Sequence, residues 1–231
     1  MRIIKRVLLP GSFVIAVAVA PVAVTPSAAA SAAAPTEAAP TVTTVHTAIG
    51  ELPVAVEERE GYSRSLFRHW VDADSDTCDT RREVLLEETV TMPEVGAGCQ
   101  VTADTGEWYS YYDQVTVNNA GSLDIDHMVP LAEAWDSGAS DWTAARRQAF
   151  ANDLDAARSL VAVTARSNRA KADRDPAEWW VPAESGSCRY LADWVATKVR
   201  WQLAIDEAEL SALQEHAGHC PDEELVIFLA E

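Results

Sequence analysis

Asp126 and His127 stand side by side in the run Asp124-Ile125-Asp126-His127-Met128-Val129-Pro130. An aspartate gives a hard oxygen ligand for a magnesium-like cation. A histidine, with an unperturbed pKa near ~6.5, can take a proton from water at neutral pH. Downstream lie Asn152 and then Ser167-Asn168-Arg169-Ala170-Lys171. Asn168 offers a second oxygen ligand, and Asn152 a group to hydrogen-bond the intervening loop and hold the histidine in place. Arg166, Arg169 and Lys171 are cations suited to gripping a phosphate. Water activated beside one hard cation, with basic side chains at hand, is the chemistry of phosphodiester hydrolysis.

These residues must be brought together by the elements that carry them. Leu123 to Val129 reads as a strand ended by Pro130, and Leu131 to Trp135 as a helical turn. Asp141 is placed to cap a helix reaching about Leu154. The apolar run Leu160 to Thr164 predicts a buried strand, and a helix begins near Ser167 and stops before Pro176. Strand, long connection, strand and helix follow in the order of a ββα-metal core.

Around it, helix-like spacing spans Gly61 to Trp70, and Thr80 is placed to cap a helix over Arg81 to Thr89. Val90 to Val117 reads as short strands and turns with an aromatic cluster at Trp108 to Tyr112. Two amphipathic helices are expected at about Arg189–Leu203 and Glu207–His216. The fold class expected is α+β, a ββα-metal core wrapped by helices.

The chain has 231 residues. Met1 to Lys5-Arg6 is basic, Val7 to Val24 is apolar, and small residues crowd Ser27 to Ala34, the layout of a secretory signal peptide at 1–30. Pro10, Gly11 and Pro21 leave the run short of the ~20 apolar residues that a spanning helix needs. Residues 31–50, rich in Ala, Pro and Thr, read as a disordered linker, and 51–231 as one domain.

An even count of cysteines in an exported chain favours two disulfides. Cys78, Cys99, Cys188 and Cys220 allow three pairings. Cys78–Cys99 with Cys188–Cys220 is preferred, since each bridge would staple one flank of the polar constellation. No Cys-x-x-Cys spacing supports a zinc alternative.

The net charge is −18, an awkward sign for a protein that approaches phosphate. From Trp142 to Arg174, however, the basic residues Arg146, Arg147, Arg158, Arg166, Arg169, Lys171 and Arg174 oppose only Asp153, Asp155 and Asp173. A basic strip on an acidic protein predicts weak, salt-sensitive binding of nucleic acid.

Asp72, Asp74 and Asp76, with Glu83 at the twelfth position, echo a calcium loop. Thr77 stands where glycine is wanted, and an acidic turn before a helix accounts for the pattern as well. Trp179 and Trp180, just past the site helix, are candidates for stacking on substrate. Glu133 and Asp136 are expected on a helix surface, and His216 and His219 at a helix end beside a disulfide.

From about Tyr62 to Cys220 the chain resembles the secreted actinobacterial HNH endonuclease-like proteins related to the C-terminal domain of GmrSD-type restriction enzymes. The resemblance rests on Cys78-Asp79-Thr80-Arg81, Asp124 to Trp135, Ser137-Gly138-Ala139, Phe150 to Asp153, Ser167 to Lys171, Asp175 to Trp179 and the Lys198 helix. It implies metal-dependent phosphodiester cleavage with His127 as base, Asp126 and Asn168 as ligands and Asn152 as positioning residue. The wider HNH pattern has histidine where this chain has Asn168, which tilts the metal to magnesium or manganese.

The expected protein is a secreted, monomeric endonuclease acting on nucleic acid, DNA rather than RNA. Its mature form would be free of the membrane, and a cognate inhibitor would accompany it if it served as a toxin. The rival from another class is a non-catalytic, calcium-stabilised binding protein on a degenerate nuclease fold.

Overall fold

The computed structural model describes residues 39–230. The expected signal peptide lies outside them. In chain order the elements are β1 (Thr41–Thr44), α1 (Val45–Glu51), α2 (Thr80–Glu87), β2 (Thr89–Thr91), β3 (Glu107–Ser110), β4 (Val115–Val117) and β5 (Leu123–His127). They continue with α3 (Leu131–Asp136), α4 (Ala144–Ala151), β6 (Leu160–Thr164), α5 (Ala165–Lys171), α6 (Ser187–Trp201), α7 (Glu207–Ala217) and β7 (Glu224–Ile227). The architecture is α+β. Among the described residues no helix is long and apolar enough to cross a membrane.

Three small antiparallel sheets result: β1–β7, β2–β3–β4 and β5–β6. In the last, Asp126 lies opposite Val161 and His127 opposite Leu160. The alternation along β5 decides what each face does. Leu123 and Ile125 pack with Leu160 and Ala162 against Val84, Leu85 and Trp108 in a satellite core. On the other face Val161 and Val163 join the main core. β6 is therefore buried on both sides, which is why its sequence is a continuous apolar run.

α6 is the central helix of the main core. Tyr190, Leu191, Trp194 and Val195 are wholly buried along it, each large side chain contributing about 1.5–3 kcal/mol by leaving water. Its start is tight against the end of β3: a Cβ on Gly186 would lie 2.6 Å from the Tyr111 carbonyl oxygen, so only glycine fits there. The disulfides are Cys78–Cys99 and Cys188–Cys220, each with its Cα atoms 5.3 Å apart. The second ties the start of α6 to the segment after α7.

Three expectations are corrected. The linker at 31–50 is ordered from its described part onward: Val42 pairs with Val226 of β7, and Val45, Ala48 and Ile49 of α1 are core residues. The helix expected over Gly61 to Trp70 is only a single 3₁₀ turn, Arg64–Leu66, in an extended segment. Finally, α2 begins at Thr80 and is capped by Asp79, whose side chain accepts from the Arg82 N–H at 3.0 Å.

Candidate active site

β5, β6 and α5 place the chemistry. Thr164 caps α5 by accepting the Ser167 N–H, so the helix starts without a loop after β6 and packs on β5. Asn168 and Lys171, one turn apart, face that strand. The Asn168 Nδ2 donates to Asp124 Oδ2 at 3.4 Å, and Arg169 Nε lies 3.4 Å from the same oxygen. A cleft of about 510 Å³ opens here, lined by Asp126, His127, Asn168 and Arg169 together with Tyr62 and Arg64. The structure thus brings together the base and both ligands expected from sequence.

Asp126 is buried. Its Oδ2 accepts from the Tyr112 hydroxyl at 2.6 Å and from Lys171 Nζ at 2.5 Å. Burial pushes the Asp126 carboxyl up and the Lys171 ammonium down, and each charge opposes the shift of the other. Lys171 also donates to the carbonyls of His127 and Met128, at 2.9 and 2.8 Å. Its side chain is 0% exposed, so it cannot grip substrate as the sequence suggested; it anchors the end of β5. Arg166 is exposed on α5 but does not line the cleft.

His127 sits between two aromatic rings, Trp70 at 5.4 Å and Phe150 at 6.5 Å, inclined to it by 29° and 19°. His69 meets its edge at 6.2 Å. Burial pushes its pKa down to about 3, so the ring is neutral across the physiological range. Its Nε2 lies 3.0 Å from the Ala151 carbonyl oxygen. A carbonyl only accepts, so Nε2 carries the proton and Nδ1 is left as the basic nitrogen.

Asn152 does not line the cleft; it works from behind. Its Oδ1 accepts from the Val71 N–H at 3.0 Å and the Thr80 hydroxyl at 2.9 Å. Its Nδ2 donates to the carbonyls of Arg68 and Gln148, at 2.8 and 2.7 Å. The bonds to residues 68 and 71 bracket Trp70, which is held at φ 58°, a region that costs a bulky residue of order 1–3 kcal/mol. Asn152 is thus next in sequence to Ala151, whose carbonyl meets His127, and its bonds flank Trp70, whose ring stacks on His127.

Sequence reasoning missed Tyr112, Trp70, Phe150 and Arg64 as parts of this site. Tyr112 was visible only as a member of an aromatic cluster, and Trp70 only as a core residue on a presumed helix. Nothing local marks a side chain that meets the site across the fold. Trp179 and Trp180 are packing residues: Trp179 contacts Tyr112 and Tyr190, and Trp180 stacks on His216.

Glu133 and Asp136 are buried rather than on a surface. Glu133 pairs with the fully buried Lys198 at 2.7 Å and Asp136 with Arg59 at 2.5 Å. Away from the cleft, carboxylate oxygens of Asp72, Asp74 and Asp76 lie within 4.8 Å of one another, and backbone N–H groups of the same turn donate to them.

Residues 95–216 match the family described as GmrSD restriction endonucleases, C-terminal domain. The chain is also 43% identical over 162 residues to an uncharacterized secreted protein of Arthroderma benhamiae, covering 70% of this chain and 77% of that protein. No solved structure matches.

Proposed function

This chain belongs to the GmrSD restriction endonuclease C-terminal domain family, and on that premise we propose that this secreted protein is a metal-dependent HNH-type endonuclease with His127 as general base. The observation that carries the reading is the convergence of Asp126, His127 and Asn168 on one cleft. β5, β6 and α5 are read as its ββα-metal core.

The donor set fits a hard cation. Lys171 and Tyr112 both bond Oδ2 of Asp126, leaving Oδ1 for a metal. Asn168 uses its amide nitrogen toward Asp124, leaving its oxygen. Two oxygen donors of this kind suit magnesium or manganese. Such an ion would offset the charge that builds on the scissile phosphate and the departing 3′ oxygen.

The chain's own part begins at Nδ1 of His127, which takes a proton from a water molecule as that water attacks phosphorus. The bond from phosphorus to the 3′ oxygen breaks, and the leaving oxygen takes a proton from solvent. A 5′-phosphate and a 3′-hydroxyl result. Ala151 and Trp70 keep the imidazole in one tautomer and one plane while this happens. Lys171 keeps Asp126 from rotating.

Calcium at the Asp72 turn belongs to the same proposal as a separate, structural ion. Glu83 faces the turn: burial first, then Asp74, Asp76 and Asp72, hold its carboxyl above its ordinary range. Calcium should raise the melting temperature of the wild type and leave that of Asp74→Asn unchanged; an equal rise in both would remove this ion from the account.

The nuclease reading is tested with supercoiled plasmid at low salt, incubated with the oxidised mature protein and magnesium, manganese or EDTA. Nicking with either metal and none in EDTA is expected, with 5′-phosphate ends. A folded protein that cuts neither DNA nor RNA with any metal would contradict it. That result would favour the non-catalytic binding role, and the Asp126–Lys171 ion pair would then be a purely structural contact.

A further inference from the structure

The segment that enters the cleft from the N-terminal side is braced at several points. Arg59 donates to Asp136 of α3 at 2.6 Å through Nε and to Asp173, just beyond α5, at 2.7 Å through Nη1. Trp135 donates its indole N–H to the Glu60 carbonyl at 3.2 Å. Tyr62 packs on Trp135 and Phe67, with ring centres 6.1 and 6.4 Å apart. Directly after this brace comes the 3₁₀ turn Arg64–Leu66, and it presents Arg64 to the cleft.

Arg64 differs from Arg59 and Arg169. Arg59 is neutralised by Asp136 and Asp173, and Arg169 leans on Asp124. Arg64 is exposed and, among the described residues, makes no ion pair with a carboxylate. It is close enough to His127 for its charge to oppose protonation of that ring. Arg64 is thus an exposed guanidinium without a carboxylate partner among the described residues, on a braced turn that lines the cleft. It suits a phosphate, whose oxygens it can meet with two parallel N–H donors.

We propose that Arg64 binds a backbone phosphate next to the scissile one, in the cleft that Arg169 also lines, so that the site takes a polynucleotide strand rather than a small diester. This inference rests on the nuclease reading for the identity of the strand. The strand then meets two arginines in the cleft that holds His127, and the preformed brace means little ordering on binding.

Binding can be measured without cleavage. Fluorescence anisotropy with a 20-base-pair DNA duplex in EDTA, between ~50 and ~200 mM salt, compares the wild type with Arg64→Gln, Arg64→Lys and Arg82→Ala. Arg82 is paired with Asp79 on α2 and lies outside the cleft. Arg64→Gln is expected to weaken binding about tenfold and to lower the slope of log Kd against log salt by about one, the signature of one lost phosphate contact. Arg64→Lys should keep the wild-type slope, and Arg82→Ala both slope and affinity.

An unchanged slope in Arg64→Gln overturns the proposal, even if affinity falls, because a structural defect weakens binding without removing a counterion. Wild-type protein that does not bind the duplex overturns it as well. Plasmid nicking in magnesium judges the nuclease reading separately, since a chain that binds through Arg64 without cutting would fail there and pass here.

Discussion

At His127 the surroundings decide the chemistry more than the residue type does. An exposed histidine would be half protonated near pH ~6.5, whereas burial holds this one neutral down to about pH 3. Between those values the unfolded chain takes up a proton that the folded chain refuses. The stability that His127 contributes is therefore complete above pH ~6.5 and is lost as the pH falls toward 3. From pH 7 to pH 5 the wild type should lose roughly 2 kcal/mol more than His127→Asn, by urea unfolding of both proteins. Equal losses would show that the ring is not desolvated. The pair Asp126-His127 was readable from sequence because a hard oxygen donor and an imidazole stand next to each other in one motif. The role of Lys171 was not, because a lysine in a basic run reads as a surface cation. Only the approach of α5 to β5 shows that its ammonium is enclosed, with Asp126 and two carbonyls as partners.

At the scale of elements, the site depends on a hinge of hydrogen bonds about Asn152. One side chain joins the end of α4, the start of α2 and the strained turn at Trp70. Asn152→Ala removes four hydrogen bonds and is expected to cost about 2–5 kcal/mol in stability. If it folds, its kcat for plasmid nicking should fall at least tenfold with KM little changed, because the variant loosens the base and not the substrate contacts. A raised KM with normal kcat would place Asn152 in substrate binding instead. The strands and helices of the site were legible because β5 alternates, β6 is a short apolar run and α5 precedes a proline. β1 and α1 were not. Their Ala, Thr and Val residues show no periodicity, and the partner that orders β1 is β7, at the far end of the described chain.

For the molecule as a whole, the excess of negative charge and the arginines at the cleft answer different needs. A net charge of −18 keeps a secreted protein soluble and repels nucleic acid from most of its surface. On the proposed reading, Arg64 and Arg169 mark the cleft where a strand would lie. That division was only half visible in sequence: the basic stretch from Trp142 to Arg174 was plain, but Arg64 joins it only through folding. Within the stretch, Arg158 is committed to Asp193 and Glu223, and Lys171 to Asp126. The count of basic residues therefore overstated what the site can offer. Two disulfides, legible from the even cysteine count, lie on either side of β5, β6 and α5 in sequence.

The most direct test of the central claim is the rate of plasmid nicking in magnesium by wild type and His127→Ala, each shown by circular dichroism to be folded. The account predicts a loss of about 10²–10⁴-fold in the variant, the usual contribution of a general base, with unaltered affinity for DNA measured in EDTA. Nicking by the variant at the wild-type rate would contradict it, and would mean that the cleft built around His127 is not where the bond is cut.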